Sequence, residues 1–270
     1  MKDILQKKAL LIENRNEKYN FIREFLQELI LKIMDDTQKF KGWYFVGGTA
    51  LHIIYDVNRY SEDLDFSSMN SEKIVFNDAI EILVQQLKSY GFNLETKMKT
   101  EKTVKSSLFK FSKILYETKL SHHTTENLLI KLDLDTNPPK GAGFALTAVN
   151  KNFLFKIPHY DLPSLFAGKL HAILCRTYVK GRDYYDFLWY LTKKIPVNKS
   201  LLENAYKQTQ QKEIRCDTET LVTLLEEKLQ SINFDVVIND VKSFIKDEKE
   251  LALINRDILG KLIGTIEISQ

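Results

Sequence analysis

Hydrophobic residues recur at helical or strand spacing along most of the chain. In the segment 19–34 apolar positions return every three or four residues, which predicts an amphipathic helix packed on a core. The aromatic run 42–48 predicts a short strand ended by two glycines, and residues 49–55 predict the helix that follows it. Alternation of apolar and polar residues over 63–67 and 127–135 predicts two further strands.

The rest of the chain is dominated by helical periodicity. The pattern predicts a helix from Ile74 to Tyr90, and the segment 92–120 predicts one or two extended segments. Asp161-Leu162-Pro163 predicts the start of a helix that runs to about Lys180, where Gly181 interrupts it. This order of elements predicts an α/β or α+β core followed by a helical C-terminal region.

Composition and charge are those of an ordinary globular protein. The chain has 270 residues, of which 44% are hydrophobic and 28% are charged, with a net charge of +3 that is too small to indicate nucleic-acid binding by itself. Its two cysteines exclude a disulfide scaffold and a Cys-rich zinc site. The first 14 residues predict no signal peptide, and no apolar run approaches the roughly 18 residues of a membrane span. We therefore expect a cytoplasmic protein without a membrane segment.

Paired carboxylates are the clearest chemical signal. Asp63 and Asp65 are two residues apart in a predicted strand, so both point to one face. Two like charges held side by side repel unless a cation separates them, which indicates a divalent metal, Mg²⁺ or Mn²⁺. Asp133 lies on one face of the strand 127–135, and a neighbouring position would let it complete the metal site or accept a proton. Such sites carry out phosphoryl or nucleotidyl transfer.

The glycine pair before these carboxylates indicates phosphate binding. Gly47 and Gly48 separate a strand from a helix, so backbone N–H groups can approach a phosphate at the positive end of the helix. The Thr49 hydroxyl can supply a further hydrogen bond. The segment is neither a Walker A loop nor a dinucleotide fingerprint, because the residues those motifs require are missing.

Two blocks of sequence resemble a known family. GGTAL at 47–51 with RYSEDLDF at 59–66, and KLHAILCR at 169–176 with RDYYD at 182–186, resemble the AbiEii/AbiGii-toxin type family of the nucleotidyltransferase superfamily. The resemblance implies an α+β fold in which a nucleotidyltransferase-like core, with a small mixed sheet flanked by helices, precedes the helical C-terminal region. It implies three segments: an N-terminal helical segment 1–38, the core 39–160 and the C-terminal region 161–270.

The resemblance also implies roles for individual residues. Asp63, Asp65, Asp133 and Lys169 would be catalytic, the three carboxylates as metal ligands. Nucleotide binding would involve Gly47, Gly48, Thr49, Ser61, Lys169 and Arg176. Lys169 and Arg176 are seven apart and share one helix face, with Lys169 directed at the triphosphate. Asp183 and Asp186 would orient these cations, and Arg182 and Asp186, four apart, alternatively form a surface ion pair.

The implied function is that of an NTP-dependent nucleotidyltransferase toxin. It would transfer a nucleoside monophosphate to an acceptor, expected to be the 3′ end of tRNA, and release pyrophosphate. A cognate antitoxin and a place in phage defence belong to the same expectation. Two alternatives stay open: an antibiotic-type nucleotidyltransferase acting on a small molecule, and a catalytically silent RNA- or protein-binding module on the same fold.

The segment 97–119 is the most basic part of the chain. It carries seven lysines against two glutamates, with Phe109, Phe111 and Tyr116 interleaved. Such a mixture can hold an RNA backbone and stack a base. It is equally typical of a solvated strand pair in which lysines protect a sheet edge.

Overall fold

The chain folds into two compact units. The structure is a computed structural model that describes residues 1–69 and 75–269. The first unit comprises Met1–Phe45, Ser61–Asn137 and Leu146–His159, and the second comprises Val46–Tyr60, Pro138–Ala145 and Tyr160–Gln270. The segment boundaries predicted after residues 38 and 160 stay a prediction.

A seven-stranded mixed sheet is the main element of the first unit. Its strand order is β3-β4-β5-β2-β1-β7-β6. β2 is parallel to β5 and β1 is parallel to β7, whereas β4 is antiparallel to both β3 and β5. The bounds of the strands are β1 Trp43–Val46, β2 Leu64–Ser68, β3 Leu94–Lys99, β4 Val104–Phe111, β5 Leu128–Asp135, β6 Phe144–Asn150 and β7 Leu154–Tyr160.

Helices of the first unit supply much of its core. Asn14 caps the long helix α2 by accepting a hydrogen bond from the Glu17 backbone N–H at 3.0 Å, and Phe25 on that helix is buried. On the sheet, Trp43 stacks on Phe76 with ring centroids 6.0 Å apart. The helices are α1 Lys2–Leu10, α2 Arg15–Thr37, α4 Phe76–Ser89 and α5 Ile114–Glu117.

The second unit is almost entirely helical. Asp161 caps α6 by accepting from the Ser164 backbone N–H at 2.9 Å, and proline lies in the first turn as the sequence predicts. Its helices are α3 Gly47–Tyr55, α6 Leu162–Cys175, α7 Gly181–Thr192, α8 Lys199–Gln210, α9 Thr218–Ser231, α10 Phe234–Val241 and α11 Arg256–Ile263. A two-stranded sheet joins β8, Val197–Asn198, to β9, Ile268–Ser269. No helix among residues 1–69 and 75–269 is long and apolar enough to cross a membrane.

The predicted fold class is confirmed, because a central mixed sheet is combined with helices and followed by a helical C-terminal region. The predicted helix from Ile74 is observed from Phe76, and Ile74 itself lies outside the described residues. Strands β6 and β7 have no counterpart in the sequence analysis. For β6 the burial pattern gives the reason: Val149 is the single buried residue of that strand, so its hydrophobic signal is weak.

One helix boundary in the second unit is corrected. The predicted helix to Lys180 ends at Cys175, and Gly181 is the first residue of α7. A Cβ atom at Gly181 would lie 2.1 Å from the Val237 carbonyl oxygen of α10. Gly181 is therefore required by the close approach of two helices.

Candidate functional site

Two of the predicted carboxylates lie side by side in the sheet of the first unit. Strands β2 and β5 pair in parallel with Asp65 opposite Asp133, so both side chains leave the same face of the sheet. Leu64 and Phe66 of β2 are buried on the other face. Asp63 directly precedes β2 and is two residues from Asp65. The register of the two strands thus brings Asp133 to the carboxylate pair, as the sequence predicts.

Lys131 is the counter-charge of this acidic face. Its Nζ lies 2.5 Å from Oδ2 of Asp133. Burial alone lowers the pKa of Lys131, but its hydrogen bond to Asp133 and the charges of Asp133, Asp63 and Asp65 outweigh burial and raise that pKa. The lysine is consequently protonated and faces a concentration of negative charge.

The other oxygen of Asp133 is left without a partner. Its Oδ1 is buried and accepts no hydrogen bond from residues 1–69 and 75–269. A buried carboxylate oxygen without a donor is costly, because it has lost water without gaining a replacement. Among residues 1–69 and 75–269, no three His, Cys, Asp or Glu side chains are grouped to hold a metal ion. The protein therefore offers an aligned pair of carboxylates with one unsatisfied oxygen.

A buried glutamine holds the turn that leads into Asp63. Gln27 of α2 is fully buried and its amide donates to the backbone oxygens of Ser61 at 3.2 Å and Glu62 at 2.8 Å. Arg23, one turn earlier on α2, forms an ion pair with Glu62 at 3.4 Å. The sequence signal for this role is two polar residues, Arg23 and Gln27, on the apolar face of a predicted amphipathic helix.

The glycine pair begins α3 in the second unit, and each glycine is required for a different reason. Gly47 has a φ of +78°, a conformation that residues with a Cβ rarely adopt. A Cβ atom on Gly48 would lie 2.5 Å from Nη2 of Arg59. Thr49, the next residue, is buried. Glycine is thus required at position 47 by the backbone conformation and at position 48 by the close approach of the buried Arg59 guanidinium.

Arg59 anchors a buried ionic network in the second unit. The side chain is 1% exposed and donates from Nε and Nη2 to the two Asp186 oxygens, both at 2.6 Å. Lys169 Nζ lies 2.7 Å from Asp186 Oδ2 and 2.7 Å from Asp183 Oδ1. Asp183 also accepts from Arg176 Nη1. The bidentate geometry of the Arg59–Asp186 pair is the strong form of the arginine–carboxylate interaction.

The network keeps Lys169 charged although it is buried. Burial lowers the pKa of Lys169, but the charges of Asp183 and Asp186 outweigh burial and raise that pKa. Lys169 and Arg176 reach the same carboxylate, Asp183, but not from one helix face as the spacing predicted, because α6 ends at Cys175 and Arg176 is extended. The alternative that Arg182 and Asp186 form an ion pair on the surface is wrong, because Asp186 is fully buried.

Positive charge exceeds negative charge at this network. Lys180, directly before α7, is half-buried, and in the part of the chain that the structure describes no carboxylate pairs with its ammonium. Burial and the neighbouring charges of Arg182, Arg176 and Lys169 lower the pKa of Lys180, against the opposite effect of Asp183. The Arg182 guanidinium lies 3.9 Å from the Phe244 ring centroid. A cluster with surplus cations is suited to bind a polyanion.

The buried network makes stability depend on acidity. Burial raises the pKa of Asp186, but Arg59 and Lys169 outweigh burial and hold that pKa below its usual value. A depressed carboxyl pKa stabilises the fold above the unfolded-state pKa and loses this contribution as pH falls through the folded pKa. We expect Asp186→Asn to lower the free energy of unfolding at pH 7 and to flatten its fall below about pH 4.

Urea unfolding of both proteins between pH 3 and 7 measures this difference. Other groups, such as Glu28 and Asp135 with raised pKa values, contribute equally to both proteins and cancel. Equal slopes of stability against pH in the two proteins would show that Asp186 does not contribute in this way.

The chain belongs to a family of nucleotidyltransferase toxins. The family described as nucleotidyl transferase AbiEii toxin, type IV toxin–antitoxin system, matches residues 29–255, which is most of the chain. The protein is thus an NTP-dependent nucleotidyltransferase by family. Both of the sequence blocks that carried the resemblance lie within the matched residues.

Solved structures show the same fold. A proposed nucleotidyltransferase from H. pylori aligns with a TM-score of 0.54 and 19% identity, covering 93% of this chain and 94% of that one. JHP933 from Helicobacter pylori aligns with a TM-score of 0.50 and 18% identity, covering 91% and 88% of the two chains. A search of curated proteins finds no match. The similarity extends over nearly the whole chain and establishes the architecture.

Proposed function

We propose that this protein is a metal-dependent nucleotidyltransferase toxin that transfers a nucleoside monophosphate from an NTP to the 3′ end of an RNA. The observation that carries the proposal is the alignment of Asp65 with Asp133 on adjacent strands, with one Asp133 oxygen buried and unsatisfied. In the reaction, an acceptor hydroxyl forms a bond to the α-phosphorus, the bond to the β-phosphate oxygen breaks, and pyrophosphate leaves.

We propose Asp63, Asp65 and Asp133 as ligands of Mg²⁺ or Mn²⁺, and the alignment of Asp65 with Asp133 supports the pair at its centre. The donor set consists of carboxylate oxygens alone, and the unsatisfied oxygen of Asp133 is available to a cation. Mg²⁺ is commonly bound by one or two carboxylates together with substrate phosphates, so a complete protein cage is not needed. A bound divalent ion would neutralise charge that develops on the transferring phosphoryl group. Asp133, if it does not ligate the metal, is placed to accept the proton of the acceptor hydroxyl.

We assign binding of the triphosphate to cations of the second unit. Lys169 and Arg176 pair with Asp183, and the charges of both also act on Lys180, so this concentration of cations supports a polyanionic ligand. Asp183, Asp186 and Arg182 are then orienting residues, since both carboxylates hold Lys169. Backbone N–H groups at Gly47 and Gly48, with the Thr49 and Ser61 hydroxyls, are the further nucleotide-binding groups of the proposal.

The biological setting follows from the family. We propose the acceptor end of tRNA as the substrate, an antitoxin protein as partner, action in the cytoplasm and a role in phage defence. The family description, which names a type IV toxin–antitoxin system, supports the antitoxin. The three segments 1–38, 39–160 and 161–270 remain our proposal for the organisation of the chain.

Transfer of labelled nucleotide tests the proposed function. Purified protein is incubated with total RNA, Mg²⁺ and each of the four α-labelled NTPs, and RNA is resolved on denaturing gels. We expect one or more NTPs to label an RNA of tRNA size, and EDTA to abolish labelling. Label on an aminoglycoside but not on RNA would replace the RNA acceptor with a small molecule. Absence of transfer to any acceptor would contradict the proposal.

A further inference from the structure

The register of the sheet connects the carboxylates to the basic edge of the first unit. Asp65 of β2 is opposite Asp133 of β5, which is opposite Ser106 of β4, which is opposite Lys99 of β3. Residues opposite each other on paired strands share a face of the sheet. One row of side chains therefore runs from the carboxylates to a lysine on the edge strand.

A second row runs beside the first. Lys131 of β5 is opposite Leu108 of β4, which is opposite Lys97 of β3. Beyond it, Lys110 of β4 lies between Leu129 of β5 and Glu95 of β3, so Glu95 shares this face. Three lysines of the basic segment, Lys97, Lys99 and Lys110, thus lie on the same face as Asp65 and Asp133. We call this surface the lysine face, meaning Glu95, Lys97, Lys99, Val104, Leu108, Lys110 and Leu129.

The lysine face is accessible and partly apolar. Lys97 and Lys99 are exposed, and Val104 and Leu129 are 44% and 46% exposed. The opposite face of the same strands is core, since Phe109 and Phe111 are fully buried. These two aromatic residues therefore cannot stack on a base, which corrects one reading of the segment, while Tyr116 is 49% exposed.

Edge protection accounts for Lys97 and Lys99, which lie on the edge strand β3, but not for Lys110. Lysines that only guard an edge strand belong on that strand. Lys110, however, lies on the second strand, which is paired on both sides. On β3 and β4 this face carries three lysines against one glutamate, Glu95, whereas β2 and β5 carry Asp65, Asp133 and Asp135 together with Lys131.

We propose that the lysine face binds the single-stranded 3′ end of the acceptor RNA, with its terminal hydroxyl at the carboxylates and its preceding phosphates at Lys97, Lys99 and Lys110. The inference rests on the proposed function, because it takes Asp65 and Asp133 as the place of reaction. Lysines attract the phosphate backbone, and the exposed aliphatic side chains offer contact area to the bases.

The dimensions of the sheet agree with such a strand. Neighbouring strands are about 4.8 Å apart, so the β5 carboxylate and the β3 lysine of one row are separated by roughly 10 Å across the sheet. That separation leaves room for a nucleotide between the reacting end and the first lysine. The carboxylates repel the phosphate backbone while Lys97 and Lys99 attract it, which favours a chain end, rather than a continuous strand, at the carboxylates.

Binding of an RNA probe in the absence of NTP tests the inference. A 12-nucleotide single-stranded RNA with a 5′ fluorophore and a free 3′ hydroxyl is titrated with the full-length protein, and anisotropy gives Kd at several salt concentrations. We expect the triple variant Lys97→Gln, Lys99→Gln, Lys110→Gln to bind about tenfold or more weakly. Its slope of log K against log salt should decrease by about 2, since each phosphate contact on a single strand contributes about 0.7.

A control variant carries the same loss of charge elsewhere in the basic segment. Lys105 is opposite Leu134 and so points away from the lysine face, and Lys113 and Lys119 lie beyond the end of β4. The variant Lys105→Gln, Lys113→Gln, Lys119→Gln should bind RNA within about twofold of the natural chain. Equal weakening in both triple variants would overturn the inference, because net charge alone would then explain binding.

Labelling with NTP separates this inference from the proposed function. If the natural chain labels RNA and the lysine-face variant has unchanged Kd and KM for RNA, the inference fails and the function stands. If no NTP is transferred, the function fails and the anisotropy still decides whether the face binds RNA. Tighter binding of polyglutamate than of RNA would overturn the inference in favour of an acidic protein.

Discussion

Replacing Asp65 by asparagine is expected to reduce nucleotide transfer by about 10³-fold or more while the protein stays folded. The change keeps the shape of the side chain and removes the charge opposite Asp133 on the paired strand. A divalent ion held by these carboxylates contributes several kcal/mol to stabilising the transition state, and each 1.4 kcal/mol corresponds to about tenfold in rate. Initial rates of label transfer to RNA at saturating NTP measure the effect.

A matched control lies on the same face of the sheet. Asp135 is two residues beyond Asp133 on β5, and its Oδ1 accepts a hydrogen bond from the Asn137 backbone N–H at 2.9 Å. Asp135→Asn removes an equal charge and should retain transfer within about tenfold. Raising Mg²⁺ should partly restore activity to Asp65→Asn but not to a variant with a damaged fold. Undiminished transfer by Asp65→Asn would exclude this carboxylate from the reaction.

Replacing Gly48 by alanine is expected to destabilise the protein by about 1–3 kcal/mol, although alanine is the better helix former. The new methyl group would lie 2.5 Å from Nη2 of Arg59, which is 1% exposed and cannot move without disturbing its paired bonds to Asp186. Either the helix start or the ion pair must shift. Urea unfolding at pH 7 measures the free energy difference from the natural chain.

Gly168 provides the opposite case within the same unit. It lies inside α6, and a Cβ atom there would meet nothing within 4 Å among the residues that the structure describes. Gly168→Ala should therefore stabilise the protein by about 0.5–1 kcal/mol. If both alanine variants change stability in the same direction and by the same amount, the contact between Gly48 and Arg59 is not what requires glycine.

Local sequence was sufficient to predict the carboxylates and the elements that carry them. Asp63 and Asp65 were predicted to share one face because side chains alternate along a strand, but β2 begins at Leu64, so the rule covers Asp65 and not Asp63. The helix over α2 and the strand β5 followed from periodicity in the same way. That Asp133 is opposite Asp65 was a hypothesis, because strand order depends on contacts between distant segments.

The buried supports of the site could not be predicted in the same way. Arg59 stood in the family signature without a role, and its pairing with Asp186 joins residues 127 positions apart. Gln27 holds the Ser61–Glu62 backbone across 34 and 35 positions. Local sequence does not show whether a charged or amide side chain is buried. Burial of such a side chain is tolerated only when a partner pairs with it, and that partner is distant in the chain.

The segment 97–119 is a second case in which the sequence did not show which side chains are buried and which are on the surface. Its lysines and aromatic residues were visible as composition, and composition left RNA binding and edge protection equally open. Strand pairing in the folded protein decides the matter. Phe109 and Phe111 lie in the core, and Lys97, Lys99 and Lys110 lie on the face that carries the carboxylates. A shift of register by one residue would have reversed every one of these placements.

The sequence by itself determined the class of chemistry and the local elements, since motif spacing, glycine positions and periodicity act over a few residues. It predicted that Asp63 and Asp65 share a strand face and that Lys169 and Arg176 share a helix face, although Asp63 precedes β2 and Arg176 follows α6. Only the tertiary structure decided which charges are buried, which carboxylate oxygen is left unsatisfied and which lysines lie in register with the carboxylates. Those features arise from hydrogen bonds and packing between segments far apart in the chain, and no local pattern encodes them.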